Sequence, residues 1–234
     1  MPDDPVLLIT GASTGIGAAT ARHAAQAGWK LVLSARSEDK LRALADELGG
    51  EEIAVAQRAD VSKWDDQEAL TQAALDAFGR IDAVFANAGF GAKRGFLEET
   101  PEQWRSMVET NVLGVAYSIR ATLPHLKERG TGHYILTSSV AGRRALPGSL
   151  YSATKHAVGA IGEGLRQELR GDESTKAIRV TLIEPGMTDT PFFDNRPQSA
   201  LESDDIARAV MYVLDQPDHV DVNEVLIRPT SQPT

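Results

Sequence analysis

Val6-Leu7-Leu8-Ile9-Thr10-Gly11-Ala12-Ser13-Thr14-Gly15-Ile16-Gly17 is a short apolar run followed at once by glycines in the spacing Gly-x-x-x-Gly-x-Gly. Val6 to Thr10 suits a buried strand, and Gly15 to Ala27, rich in alanine and closed by Gly28, reads as a helix. A strand that feeds a helix through a glycine turn leaves backbone N–H groups and the positive end of the helix dipole facing the turn, where a pyrophosphate is held. Gly11, Ser13, Thr14, Gly15, Ile16 and Gly17 are therefore candidate cofactor contacts. The spacing departs from the Gly-x-Gly-x-x-Gly of many dinucleotide turns. An ordinary flexible turn is the alternative, and the position between first strand and first helix argues against it.

The same alternation continues along the chain. Strands are expected at Leu31 to Leu33, Ile53 to Ala56, Ile81 to Ala86, Tyr134 to Thr137, Arg179 to Ile183 and Val222 to Ile227. Helices are expected at Glu38 to Leu48, from a cap at Ser62 or Asp65 to Phe78, from Pro101 with Thr100 as N-cap to Arg129 with one break, at Leu150 to Leu169, and at Asp204 to Leu214. Nearly continuous apolar strands separated by helices imply a parallel sheet covered on both faces. The fold class is α/β, a doubly wound Rossmann-type sheet of about seven strands, expected to form one domain over residues 1–234. Ligands in such sheets bind beyond the carboxyl ends of the strands.

Those strand ends carry the remaining candidates. After the second strand stands Ser34-Ala35-Arg36, with a guanidinium where a carboxylate would bond the ribose hydroxyls of NAD(H). Arg36 suits a phosphate and implies NADP(H), unless it is simply a solvated surface arginine. Asp60-Val61 and Asn87-Ala88-Gly89 follow the third and fourth strands, able to line adenine and ribose or to serve as turn and cap residues. Thr137-Ser138-Ser139 ends the fifth strand, where a serine hydroxyl is placed to bond a substrate oxygen. Pro185-Gly186-Met187-Thr188-Asp189-Thr190 follows the sixth, a rigid turn able to face a nicotinamide.

Tyr151 and Lys155 are four residues apart, just over one helical turn, so phenol and ammonium share a face. A free phenol ionises near pH ~10. The cation and the helix N-terminus are expected to lower that value and turn Tyr151 into a proton donor and acceptor for a carbonyl oxygen.

Composition narrows the alternatives. With 42% apolar and 24% charged residues and a net charge of −9, the chain has no basic footprint for nucleic acid or an anionic membrane. No cysteine occurs, which removes disulfides and thiolate chemistry and fits the cytoplasm. The five histidines, His23, His125, His133, His156 and His219, lack metal-ligand spacing, and no metal is expected. Met1-Pro2-Asp3-Asp4-Pro5 lacks the basic start of a secretory signal, and no apolar run approaches the roughly 20 residues of a membrane span.

Taken in order, these motifs resemble the classical short-chain dehydrogenases/reductases from Leu7 to Pro229. Thr10 to Gly17 is similar to that family's cofactor turn, Asp60-Val61 to its adenine contact, and Asn87-Ala88-Gly89 to its sheet-stabilising Asn-Ala-Gly. Tyr151-x-x-x-Lys155 is similar to its catalytic pair, whose lysine also bonds the nicotinamide ribose, and Pro185-Gly186 to its Pro-Gly turn. The resemblance implies that Asn111 holds a water in a proton relay. It also implies that Ser139 is the catalytic serine, although Ser139 lies twelve residues before Tyr151 where the family usually has thirteen, a count that selects Ser138. Ser139 is preferred because strand alternation fixes its direction while the loop 143–150 can absorb a deletion. Ala35-Arg36 looks like the NADP(H)-preferring members. The segment after Thr190 is short for the family's substrate lid, here residues 188–203, with Phe192 and Phe193 as its roof or as packing. Phe90, Lys93, Arg94, Phe96, Arg143 and Arg144 lie on loops near the expected site, placed to line it, to face solvent or to meet another subunit. A homo-oligomer, tetramer or dimer, is implied through the helices 101–129 and 151–170.

The expectation is therefore an NADP(H)-dependent enzyme interconverting a small-molecule carbonyl and an alcohol. The alternatives are a non-catalytic NADP(H)-sensing protein and, less well supported, a sugar-nucleotide epimerase, which needs a different glycine turn and a larger C-terminal domain.

Overall fold

Seven apolar runs assemble into one parallel sheet in the order β3-β2-β1-β4-β5-β6-β7. The computed structural model describes residues 4–91, 95–147, 150–191 and 198–232. Along the chain these are β1 (Val6–Thr10), α1 (Gly15–Gln26), β2 (Lys30–Ala35), α2 (Glu38–Glu47), β3 (Ala54–Arg58), α3 (Trp64–Phe78) and β4 (Ala83–Ala86). Then follow α4 (Pro101–Val108), α5 (Gly114–Arg129), β5 (Gly132–Thr137), α6 (Tyr151–Arg170), β6 (Ile178–Pro185), α7 (Ser203–Leu214) and β7 (Glu224–Ile227).

Strand alternation divides the core in two. Leu7, Ile9, Leu31, Leu33, Phe85 and Ile183 face one side and pack with residues of α1, α2 and α7. Val6, Leu8, Val32, Val84, Leu136 and Leu182 face the other and pack with residues of α3, α5 and α6. A sheet apolar on both faces is stable only when helices cover both, so the unbroken apolar strands and the double winding share one cause. The chain runs outward from β1 to β3 and then restarts at β4 on the other side of β1. The crevice at that reversal is where doubly wound sheets bind ligands.

Thr100 caps α4 as expected, its Oγ1 accepting from Gln103 N at 3.3 Å while Gln103 Oε1 accepts from Thr100 N at 2.8 Å. The cap expected at Ser62 or Asp65 is not formed. Lys63 holds the N-cap position of α3 without a side-chain bond, because Ser62 is committed to Asp60, whose Oδ1 accepts from Ser62 N at 3.0 Å and from Ser62 Oγ at 2.7 Å. The break expected between Pro101 and Arg129 is a π-helical turn, Glu109–Leu113, which widens the helix without ending it.

Candidate active site

The glycine turn is built by backbone that bulkier residues cannot follow. Gly11 and Gly15 have φ of +68° and +56°. Thr14, the N-cap of α1, is extended and makes no side-chain cap bond, and the first turn of α1 contains no acidic residue. Its unpaired N–H groups and positive dipole end are therefore left for an anion. Thr10 and Asn87 hold this turn against the sheet. Thr10 Oγ1 accepts from Asn87 N and Ala88 N, both at 3.1 Å, and Asn87 Nδ2 donates to Thr10 O at 3.1 Å. Asn87 Oδ1 accepts from Thr137 Oγ1 at 3.3 Å, so one amide laces together the ends of β1, β4 and β5.

These ends open on a cleft of about 570 Å³ lined by Gly11, Ser13, Thr14, Gly15 and Ile16, by Arg36, Asp60 and Val61, by Asn87, Ala88 and Gly89, and by Ser139, Tyr151, Lys155, Pro185, Gly186, Thr188 and Thr190. Two sequence candidates stand behind the wall. Gly17 is buried, with Gly11 O only 2.4 Å from where its Cβ would be, so it packs the turn and is not exposed to a ligand. Asn111 lies in the π turn, 1% exposed. Its Oδ1 accepts from Phe90 N at 3.0 Å, and its Nδ2 donates to Phe90 O at 2.9 Å and to Thr154 Oγ1 at 3.2 Å. The side chain thus ties the loop after β4 to α6, committed to protein partners.

At the β2 and β3 end of the cleft, Arg36 is exposed and, among the described residues, forms no ion pair. Ser37 beside it also lines the cleft and caps α2 without using its side chain. Burial pushes the Asp60 carboxyl up, but the bonds from Ser62 and the nearby Arg36 and Lys63 outweigh burial and leave it below the usual range.

The reacting end gathers around the start of α6. Tyr151 is its first residue. Ser139 hydrogen-bonds the Tyr151 side chain; Ser139 Oγ also accepts from Ala141 N at 3.1 Å and contacts Pro185 O at 3.4 Å. Ser138 also lines the cleft, but its Oγ is used on the backbone, donating to Lys155 O at 3.0 Å. It packs so closely under Gly142 that a Cβ there would come within 2.5 Å of Ser138 Oγ. On this geometry Ser139→Ala is expected to lower kcat about 10²–10³-fold, as losing one oxyanion donor does. Ser138→Ala should leave kcat within about threefold and act on stability instead, through one buried hydrogen bond. Steady-state kinetics of the two variants, with thermal melts, checks this, and a larger kcat loss from Ser138→Ala would reverse the assignment.

Lys155 is buried at 4% exposure, with Nζ 5.8 Å from the Tyr151 ring centroid and donating to Thr137 O at 2.8 Å. The expectation that this pair acidifies the phenol does not hold for the protein alone. Burial pushes Tyr151 up to about 12 against the pull of its bond from Ser139, and burial lowers Lys155 to about 8. Both groups sit in the crevice wall, where removal from water penalises each charged form.

Across the cleft, Gly186 N donates to Ile227 O at 2.7 Å, holding the Pro-Gly turn onto β7. Thr188 forms an isolated parallel bridge with Leu201 at the base of the expected lid, and the Thr190 methyl would lie 3.2 Å from a Cβ on Gly15. Gln232, which no motif marks, returns from the C-terminal tail and accepts from Met187 N through Oε1 at 2.8 Å. Of the loop candidates, Phe90 lines the cleft and Arg143 pairs with Glu184. Arg144 is exposed, and Phe96 lies away from the cleft, edge-on to Trp104. Lys93, Arg94, Phe192 and Phe193 lie outside the described residues. Among the described residues no group of three or more His, Asp or Glu is placed to hold a metal ion, and no helix is long and apolar enough to cross a membrane.

A doubly wound sheet with an anion-binding glycine turn and a buried tyrosine–lysine pair in the same crevice defines a nucleotide-binding oxidoreductase. Residues 5–200 match the short chain dehydrogenase family, and the chain belongs to it. An uncharacterized oxidoreductase of Staphylococcus saprophyticus is 40% identical, the match covering 98% of this chain and 97% of that one. The alcohol dehydrogenase of the archaeon Thermococcus sibiricus, solved with 5-hydroxy-NADP, superposes with a TM-score of 0.89 at 35% identity over 98% of both chains. The serine dehydrogenase of Escherichia coli does so with a TM-score of 0.87 at 32% identity, over 98% of this chain and all (100%) of that one. Other similar structures hold NADP in two cases and NADH or NAD in two more.

Proposed function

We propose that this oxidoreductase interconverts a neutral carbonyl compound and its alcohol with NADP(H), using Tyr151 as the proton donor and acceptor. The observation that carries the reading is the meeting of Tyr151, Ser139 and Lys155 at the wall of a cleft whose far end is the glycine turn. The uncapped start of α1 and the uncharged Gly11–Ile16 loop fit a pyrophosphate, and Arg36 with Ser37 fits a 2′-phosphate. A bound nicotinamide supplies hydride to the substrate carbon, or accepts it in reverse.

The rest is done by the chain. Ser139 Oγ and the Tyr151 phenol are hydrogen-bonded neighbours, and a carbonyl oxygen set beside them would accept from both as negative charge develops on it. A phenol held near 12 is fully protonated at neutral pH, which suits proton delivery to that oxygen. Lys155, anchored on Thr137 O, keeps its other N–H groups toward the cleft for ribose hydroxyls, and its charge favours the phenolate left after proton transfer. The wall beyond the serine is Val140, Leu146, Pro147 and Met187, apolar and suited to an uncharged substituent on the substrate.

A panel of ketones and aldehydes run with NADPH and with NADH tests the reading. Consumption of NADPH with a higher kcat/KM than for NADH is the expected result. Tight binding without consumption would favour a sensor, and equal use of both cofactors would remove the role of Arg36. Arg36→Asp is expected to lower kcat/KM with NADPH about 10–100-fold, the worth of a hydrogen-bonded charge contact, and to raise it with NADH.

A further inference from the structure

Glu184 is an anomaly in its strand. The strand β6 also carries Arg179 and Thr181, but Glu184 follows the buried pair Leu182-Ile183 and sits one residue before Pro185 with a side chain only 2% exposed. Burying a carboxylate is costly unless it is paired. Its partner is Arg143, whose Nε donates to Glu184 Oε1 at 2.7 Å and to Oε2 at 2.8 Å. The same guanidinium reaches Glu224 on β7 through Nη2. Glu184 and Glu224 leave the same face of neighbouring strands, because Glu224 pairs with Leu182 and alternation returns that face at 184. Arg143 is thus held by two carboxylates at the sheet end nearest the site.

Arg143 is also the residue that closes the serine turn. Ser139 is the N-cap of a 3-10 turn, Val140–Gly142, and Arg143 N donates to Val140 O at 3.0 Å. The β5–β6 ladder ends just before Ser139, where Ser138 N donates to Ile183 O at 2.8 Å, and Ser139 Oγ donates to Pro185 O at 3.4 Å, the long limit of a hydrogen bond. The ladder fixes the backbone at Ser138, but the Oγ contact is too weak to hold the turn that follows. The Arg143–Glu184 clasp, the single Nε–H shared between both carboxylate oxygens in a short charge-assisted bond, ties the far end of that turn to the same strand.

We infer that Glu184 and Arg143 are positioning residues for Ser139: the clasp fixes the serine turn against the end of β6 and so aims Ser139 Oγ at the oxygen that Tyr151 protonates. This rests on the function proposed above. Arg143→Met, which keeps the apolar stem of a half-exposed side chain, is the variant to use, with a thermal melt beside it because it leaves Glu184 buried without this partner. With NADPH and a working ketone, Arg143→Met is expected to lower kcat about tenfold, less than the about hundredfold that a full 1 Å misplacement can cost. The dissociation constant for NADPH should stay unchanged. In a Ser139→Ala background the same substitution should change kcat less than about twofold, since it then has nothing left to position. An unchanged kcat, or the tenfold loss repeated in the Ser139→Ala background, would overturn the inference. Absence of turnover in the unsubstituted protein would count against the proposed reaction instead. In that event a crystal structure of Arg143→Met decides, the expected result being Ser139 Oγ moved off Pro185 O and the contrary one an unmoved serine.

Discussion

Tyr151→Phe is expected to lower kcat by about 10²–10⁴-fold, the range general acid–base groups contribute, while NADPH binds within about twofold of the unsubstituted protein. The substitution removes one oxygen and keeps the ring, so the packing of Lys155 beside it, 5.8 Å from the centroid, is retained. What is lost is the phenol hydroxyl, the group proposed above to give a proton to a carbonyl oxygen and to take one from an alcohol. The buried phenol adds a pH signature. Its value is raised to about 12, so its neutral form persists well above the pH at which a free phenol ionises. Reduction, which needs the phenol, should be insensitive to Tyr151 near neutral pH. Oxidation needs the phenolate, and its rate should climb as pH rises from 7 toward 10. Burial also lowers Lys155 to about 8, so as pH rises through that value its charge, and the support that charge gives the phenolate, is lost and the climb flattens. Pre-steady-state and steady-state rates in both directions check this. A Phe variant that retains turnover, or keeps the alkaline climb in oxidation, removes Tyr151 from the role given to it.

Gly17→Ala is expected to weaken NADPH binding about tenfold or more and to destabilise the fold by about 1–3 kcal/mol, the usual cost of overpacking. A Cβ at this position would lie 2.4 Å from Gly11 O and 2.9 Å from Asn87 Nδ2. Neither neighbour can yield cheaply. Gly11 O belongs to the left-handed turn proposed to receive the pyrophosphate, and Asn87 is already bonded to Thr10 and Thr137. The strain therefore passes directly into the phosphate cradle although Gly17 touches no ligand. Gly159→Ala, in α6 with nothing within 4 Å of its would-be Cβ, is the matched control and should leave both properties intact. Thermal melts and NADPH fluorescence titration measure the pair. A Gly17→Ala protein that melts and binds as the unsubstituted one does would show that the turn has slack the geometry denies.

Much of this site was legible along the chain because doubly wound sheets put function at strand ends, and strand ends are marked by where apolar runs stop. Thr10, Ala35, Ala86, Thr137 and Pro185 close their strands in the structure, and each is followed by a residue that lines the cleft. Other parts needed contacts that no local pattern encodes. Asn111 was picked out by resemblance, but that its amide is used on Phe90 and Thr154 depends on the π turn, which sequence periodicity showed only as a break. Gln232 follows the last strand with no motif, and it meets Met187 only because β7 lies beside β6. Glu184 carries a local signal of its own: a carboxylate directly after Leu182-Ile183 near a strand end needs a cation, and Arg143 stands on a nearby loop.

Hydrophobic alternation and glycine placement are local properties, set by side-chain periodicity and by which residues tolerate a left-handed backbone. For that reason the amino-acid order alone determined the parallel sheet, the anion-binding turn and the pairing of Tyr151 with Lys155. Direction and charge state are collective properties. Which of two adjacent serines faces the phenol, and whether phenol and ammonium are acidified or driven toward neutrality, depend on how much water the surrounding walls remove. Only the folded crevice decided those, turning Ser139 inward and pushing Tyr151 up to about 12 through desolvation.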